Sequence, residues 1–480
     1  MPRVVEFPVR GHCGLVELKI GAGTQKTCPF RIASKARSQC DLYKHPFENL
    51  NLLKQRRLLI WQLPYIFECL LSKKGFQVAQ QRSVDDYLSI LVDSVAPLPP
   101  VKTPILGAHP LSHLAEDVVA TIPIPKFTNS AVDGYAILKE DIHGSGPWTF
   151  LVGGDTPAGS APASINNGKA IRVMTGGPVP STNKDMIVVP VELTNAPVDH
   201  SLPTEITINE LPGERNNIRH AGEHLKEGEI AVAAGTAFDA GTVSTVISVG
   251  HDTVKAHPCP RVAVITTGDE LNQGNPWGIP NSNGPMLVAE LKRVGIKDPQ
   301  HFHSDDNEGA LEETFNKAAE IADVIITVGG ISAGAFDVVK AVGTKTGGFE
   351  FFPIAMKPGK PQGHGQWGDA KVVCLPGNPV AAWVSFRLFV VPVIERLGGG
   401  KRVASISELP VVALRSNRAL KEREGTVVAI PVAIDWEKRM ANSQAHRSHM
   451  VGALAGSGGI ALVTSSIAED GLVDVVLGRM

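Results

Sequence analysis

Cysteine is scarce, six in 480 residues, and no two stand as a C-x-x-C pair. Four of them, Cys13, Cys28, Cys40 and Cys69, fall within the first 81 residues, where their irregular spacing favours ordinary free thiols over a zinc site with His12 and His45. Cys259 and Cys374 border or sit in predicted strands and read as small core residues of a reducing compartment. Long apolar runs are absent: the best, residues 380–394, contains Arg387 and Pro392, too polar to span a membrane. The first residues are basic but lack the apolar core of a signal peptide, so the expected location is cytoplasmic, away from membranes. Charge of one sign is also lacking, at net −2, which excludes a general nucleic-acid binder. The balance hides an asymmetry, because residues 1–81 carry net +8 and the remainder −10. At 480 residues the chain is too long for one core, and three or four domains are expected.

What the chain does have is a repeated strand, glycine-loop, helix unit. Residues 324–328, VIITV, form a short β-branched run that reads as a strand buried on both faces, and it enters Gly329, Gly330 and Gly334 where a helix should start. Such a loop lets backbone approach a phosphate beside the positive end of a helix. This stretch is neither a P-loop nor G-x-G-x-x-G, and alone it is a weak signal that reads more readily as a plain tight turn. Asp337, three residues on, has the wrong charge to touch a phosphate, which calls for a metal between them. Residues 261–271 (RVAVITTGDEL) and 371–379 (KVVCLPGNP) repeat the pattern, ending at Asp269-Glu270 and at Pro376-Gly377-Asn378-Pro379. Asn378 can cap the following helix and Pro379 can occupy its first position. Ligands of open α/β sheets lie outside the carboxyl ends of the strands, so Asp269, Glu270 and Asp337 are expected in one crevice.

Along the chain, residues 1–81 show only one helical stretch, 50–71, broken by Pro64. Ser83 can cap a helix carrying Tyr87, Ile90, Leu91 and Val95, and a second helix is predicted over 111–119. At 126–137, Asp133-Gly134 reads as a hairpin turn, and 172–178, with Thr175, as a strand ending in a turn. Short apolar runs over 145–215 indicate a small β domain. The stretch 217–228 holds Arg219, His220, Glu223 and His224 without an H-E-x-x-H motif, and reads as a solvated polar loop. A helix over 240–249 leads to an alternating region with strands at 262–266, 324–328 and 371–375. Its helices are predicted at 285–294, 309–321 (with Asp305 and Asp306 as cap), 336–342 and 380–391. Lys357 and Lys360, on the proline-stiffened loop 356–361, offer positive charge for an oxyanion or form a plain basic loop. After Gly398-Gly399-Gly400, runs at 411–414, 427–434, 460–463 and 473–477 indicate an all-β module.

Taken together, seven stretches in order resemble the molybdopterin molybdenumtransferases, the MoeA and gephyrin family: NSAVDGYA (129–136), RVMTGGPVP (172–180), TTGDEL (266–271), NSNGPML (281–287), VGGISAGAFDVVK (328–340), MKPGKP (356–361) and LPGNPVAA (375–382). The resemblance covers residues 82–480. It implies a multidomain α/β fold with a doubly wound molybdopterin-binding domain (258–400), a linker and dimer domain (82–125 and 205–257), a small β domain (126–204) and a carboxy-terminal β-barrel-like module (401–480), with 1–81 an unassigned basic extension. It implies an elongated homodimer whose site lies between the α/β domain of one subunit and the first domains of the other.

The activity so implied is insertion of molybdate into adenylylated molybdopterin, with Mg²⁺ assistance and release of AMP. Molybdopterin adenylyltransferase and apo-molybdoenzymes would be transient partners. The family's catalytic positions match Asp133, Thr175, Glu223, Asp269 and Asp337, with Asp269 and Asp337 as metal ligands. Binding positions match Asn283, Gly329, Gly330, Ser332, Gly334, Lys357, Lys360, Pro376, Gly377, Asn378 and Ser448. The chain departs from the family at Ala335, His224 and Ala381, and Arg418 and Arg423 are the candidates for a carboxy-terminal arginine. The alternatives are a non-catalytic pterin-binding scaffold or handoff protein, which retention of the five catalytic positions disfavours, and a stand-alone adenylylating enzyme, which the additional domains argue against.

Overall fold

The computed structural model describes residues 18–20, 30–32, 81–197, 201–271, 276–331, 337–443 and 450–478. The chain forms two compact units, Met1–Val78 and Ala79–Met480. In the first, Leu18–Ile20 pairs antiparallel with Phe30–Ile32. The helix expected at 50–71 and the four amino-terminal cysteines lie outside the described residues.

The second unit opens with the helix Val84–Asp93. Ser83 Oγ accepts from Asp86 N–H at 2.9 Å while Asp86 Oδ2 accepts from Ser83 N–H at 3.4 Å, a reciprocal cap that satisfies two otherwise unpaired donors. Sequence grouped this helix with the linker segment, but its packing joins it to the α/β domain. Tyr87 is fully buried, donates its hydroxyl to Gly363 O at 2.9 Å and meets the Phe389 ring edge-on at 5.0 Å.

The segment 111–119 is not the predicted helix. His113–Leu114 pairs with Thr253–His257, and Val118–Val119 with Ile230–Val232. The partners lie more than a hundred residues away, so the local helical spacing of apolar residues carried no information about them. The helix Ala240–Ser248 closes this small core. Next to it in sequence is a five-stranded sheet in the order Met186–Pro190, Gly134–Leu138, Lys169–Val173, Trp148–Thr156, Glu205–Ile208.

The α/β domain carries a six-stranded sheet in the order Gln300–Ser304, Val262–Thr267, Val324–Val328, Ala370–Leu375, Pro361–Trp367, Phe349–Pro353. The first four strands are parallel and the last two antiparallel. Every side chain of Val324–Val328 is buried. Burying each aliphatic one contributes about 1.5–3 kcal/mol, which makes this strand the keel of the domain. Asn283–Val294 and Pro379–Ser385 pack on one face, Glu308–Ile321 and Val338–Thr346 on the other. The last helix continues through a π-helical segment, Phe386–Val390, into Val391–Leu397, and so runs past the predicted stop at 391 despite Pro392.

In the carboxy-terminal module, Val427–Asp435, Met440–Ser443, Val411–Ser416, Leu472–Leu477 and Gly459–Val463 pair in a ring that closes on its first strand. Met356–Lys357 adds to the outside of Val427–Asp435, so the lysine loop of the α/β domain is seated on the barrel.

Candidate functional site

Three strand ends of the α/β sheet meet at a cavity of about 590 Å³. Its wall includes Thr266, Thr267, Gly268 and Glu270 from the first loop, Gly329, Gly330 and Asp337 from the second, and Pro376, Gly377, Asn378 and Pro379 from the third. The loops touch closely. A methyl group on Gly377 would stand 3.4 Å from Gly329 Cα, and one on Gly329 would stand 3.0 Å from Thr267 O. Gly329 and Gly330 have φ of 100° and 64°, which side chains other than hydrogen adopt only under strain.

Asn283, at the start of Asn283–Val294, donates Nδ2 to Gly377 O at 2.6 Å and bridges the first and third loops. Asn378 occupies the N-cap position ahead of Pro379, as expected, but its side chain makes no capping bond and faces the cavity instead.

Three buried polar atoms on this wall have no hydrogen-bond partner: Thr267 Oγ1, Asn283 Oδ1 and Asp337 Oδ2. Unpaired buried polar groups are rare in folded proteins because each costs roughly 1–3 kcal/mol, and here three belong to residues that line one cavity.

Asp306, expected to cap the helix Glu308–Ile321, lines this cavity instead. The cap is Asn307, whose side chain accepts from Ala310 N–H at 3.1 Å. Asp306 N–H donates to Asp269 Oδ1 at 3.0 Å, and Asp306 Oδ2 accepts from Asp269 N–H at 3.4 Å. Burial, together with the carboxylates of Asp269, Glu270 and Asp305, raises the Asp306 carboxyl above the ordinary aspartate range. The acidic pair before a helix was visible in sequence, but capping was the wrong use for it. Asp269 itself is exposed at the rim, linked to the cavity through Asp306.

Lys357 and Lys360 are exposed on the loop that enters the wall at Pro361. This loop is fixed from below. Gln362, 1 % exposed, donates Nε2 to Gly359 O at 2.8 Å and to Ser385 Oγ at 2.6 Å, while Ile354 N–H donates to Lys360 O at 2.8 Å.

The other expected positions form a second group, away from the lining of this cavity. Asp133 Oδ1 accepts from Thr175 N–H at 2.6 Å and from Thr175 Oγ1 at 2.9 Å. Asn129–Ser130 pairs with Ile218–Arg219, which brings the Glu223 loop alongside, and Glu223 Oε2 accepts from His220 N–H at 2.8 Å. Asp133, Thr175 and Glu223 are all exposed. Ser332, Gly334, Ala335 and Ser448 lie outside the described residues. Of the candidate arginines, Arg418 donates Nε to Ser443 Oγ at 2.9 Å.

A divalent cation fits the donor set in one way. Among the described residues no three acidic, His or Cys side chains converge as a ready cage. Mg²⁺ is commonly held by one or two carboxylates plus substrate phosphates, and the unpaired Asp337 Oδ2 beside the glycine loop is a donor of that kind. Among the described residues no helix is long and apolar enough to cross a membrane.

Comparison with known proteins agrees with this architecture. Residues 82–250 match the MoeA N-terminal region (domain I and II), and residues 263–396 match the probable molybdopterin binding domain. The chain is 34% identical over 332 residues to molybdopterin molybdenumtransferase 2 of Mycobacterium tuberculosis, covering 66% of this chain and 80% of that one. It is 35% identical over 293 residues to molybdopterin molybdenumtransferase of Haemophilus influenzae, covering 60% and 70%. The crystal structure of the molybdopterin biosynthesis moea protein from Pyrococcus horikosii superposes with a TM-score of 0.65 at 25% identity, over 84% of this chain and all of that one. With its cavity, its loops and these relatives in agreement, the chain belongs to the molybdopterin molybdenumtransferase family.

Proposed function

We propose that this chain inserts molybdate into adenylylated molybdopterin and releases AMP. The observation that carries the reading is the convergence of three glycine-bearing loops and three unpaired buried polar atoms on one cavity, in a chain of this family. The turn at Gly329–Gly330 leaves room for a pyrophosphate to approach the backbone, and the Thr267 hydroxyl, a donor, can orient it, while Asn283 ties the loops together through Gly377 O. Asp337 would hold Mg²⁺, with Asp269 as second carboxylate oriented by Asp306 N–H. The cation, when bound, offsets charge on the pyrophosphate. Water then cleaves the P–O–P bridge, one phosphate staying on the pterin and the other leaving as AMP. Lys357 and Lys360 attract molybdate, a substrate here, to a loop that Gln362 keeps in place.

Asp133, Thr175 and Glu223 complete the site from a second copy of the chain. Their separation from the cavity lining within one chain, their exposure and the hydrogen bonds between Asp133 and Thr175 support this arrangement. Purified protein with adenylylated molybdopterin, molybdate and Mg²⁺ should release AMP in a molybdate-dependent manner. A scaffold would instead retain the pterin nucleotide unchanged, and that outcome would overturn the reading.

A further inference from the structure

The helix Asn283–Val294 supplies Ser282 and Asn283 to the cavity, yet Ser282, its N-cap residue, makes no side-chain cap bond. The residue before it takes over. Asn281 Oδ1 accepts from Gly284 N–H at 3.2 Å, and Asn281 Nδ2 donates to Thr266 Oγ1 at 2.8 Å. One amide thus caps the helix and ties its first turn to the end of the strand Val262–Thr267. Thr266 is 1 % exposed, and its hydroxyl lies within hydrogen-bond distance of His301 Nε2 at 3.1 Å. The His301 imidazole is pressed against the same turn, since a methyl group on Gly284 would fall 2.2 Å from Nε2. The helix start is therefore clamped between two strands, with Asn283 reaching from it to Gly377 O.

We infer that Asn281 is a positioning residue for substrate binding, acting through Thr266 on one side and Asn283 on the other. A cap alone requires only an acceptor; Ser, Asp or Asn serves. The Nδ2 donor, spent on a buried hydroxyl at the cavity floor, serves register instead. It sets where Asn283 stands across the cavity and hence where the phosphate-bearing part of the ligand sits. A displacement of the order of 1 Å in such a group weakens binding and rate alike. The inference rests on the proposed function, which assigns the cavity to a pterin nucleotide.

The test is a double-mutant cycle read by the dissociation constant for adenylylated molybdopterin, by calorimetry without molybdate, together with the melting temperature. Asn281→Ala and Thr266→Val should each weaken binding about tenfold, and the double variant should be no weaker than Thr266→Val alone, because the valine already cuts the Asn281 link along with the contact to His301. Thr266→Ser should bind like the wild type, and Asn281→Ala should add nothing in an Asn283→Ala background. A role limited to capping predicts that Asn281→Ala lowers the melting temperature with affinity unchanged, while Thr266→Val does nothing; that result overturns the inference. If the wild type itself does not bind the nucleotide, the functional reading fails and this inference falls with it. Binding by the wild type with independent, additive losses sinks the inference alone.

Discussion

Asp133 receives on a single carboxylate oxygen both hydrogen bonds that Thr175 can direct at it, from N–H at 2.6 Å and from Oγ1 at 2.9 Å. The two residues are 42 apart in sequence and lie on loops ahead of and behind neighbouring strands of the small β sheet. Thr175→Val removes the hydroxyl and keeps the backbone donor. AMP release should fall by about tenfold to a hundredfold, the equivalent of one hydrogen bond to a charged group. Both groups are exposed, so the melting temperature should hardly move. An unchanged rate in steady-state assays would show that the hydroxyl has no part in orienting Asp133.

Asp337→Asn should separate stability from activity. The wild-type carboxylate carries a buried oxygen with no partner, so the neutral amide should leave the fold as stable as before or slightly more so. AMP release should fall on the order of 100-fold or more, because losing a ligand costs at least as much as losing the partner that orients one. Titration with Mn²⁺ in the presence of AMP gives an independent readout, and undiminished cation affinity would remove Asp337 from the metal site.

For the lysine loop, replacing Lys357 and Lys360 together by alanine should raise the molybdate concentration needed for half-maximal rate while pterin binding stays nearly constant. Gln362→Leu, which leaves both lysines but removes the ties to Gly359 and Ser385, should shift the molybdate dependence in the same direction. If only the lysine variant does so, their charge matters and their placement does not.

Much of this was legible in the chain, and the exceptions have physical causes. The runs at 262–266, 324–328 and 371–375 announce buried strands because both faces are apolar. The edge strands Gln300–Ser304 and Phe349–Pro353, and Pro361–Trp367 beside the latter, carry His, Gln, Gly or Pro and look like loops. Met440–Ser443 (MANS) holds no β-branched or aromatic residue and so gives no strand signal. Acidic residues before a helix usually cap it, but the residue directly before Glu308–Ile321 is Asn307, which takes the cap and leaves Asp306 to the cavity. Asp133 looked like a turn residue until its partner Thr175 could be seen, and no local rule joins the two.

The helix Asn283–Val294 is also anchored through Glu290, which receives Trp383 Nε1 at 3.0 Å and Arg387 Nη2 at 3.3 Å; the Arg387 side chain is 5% exposed. Burial works to raise the Glu290 carboxyl, but Arg387, Arg293 and Trp383 outweigh it and hold it below the ordinary value of 4.5. Burial lowers Arg387 yet leaves it charged across the working range, so Glu290 sets the pH window. A carboxylate with a depressed folded pKa adds stability above its unfolded pKa and loses it as pH falls through the folded one. Glu290→Gln should therefore cost about 3 kcal/mol at neutral pH, the scale of breaking a buried pair. The gap to the wild type should close as denaturation is repeated at pH values falling through the depressed pKa of Glu290. A constant gap down to acid pH would contradict this assignment.

The central claim is that the Asp133–Thr175–Glu223 group of one chain and the Asp337 cavity of another form one active site. Asp133→Ala and Asp337→Ala should each be inactive, and the two should be refolded together and assayed for AMP release. The account predicts recovery to roughly a quarter of the wild-type rate, because half of the dimers are mixed and each of those holds one intact site. No recovery in a preparation verified to contain mixed dimers would mean that each chain builds its site alone.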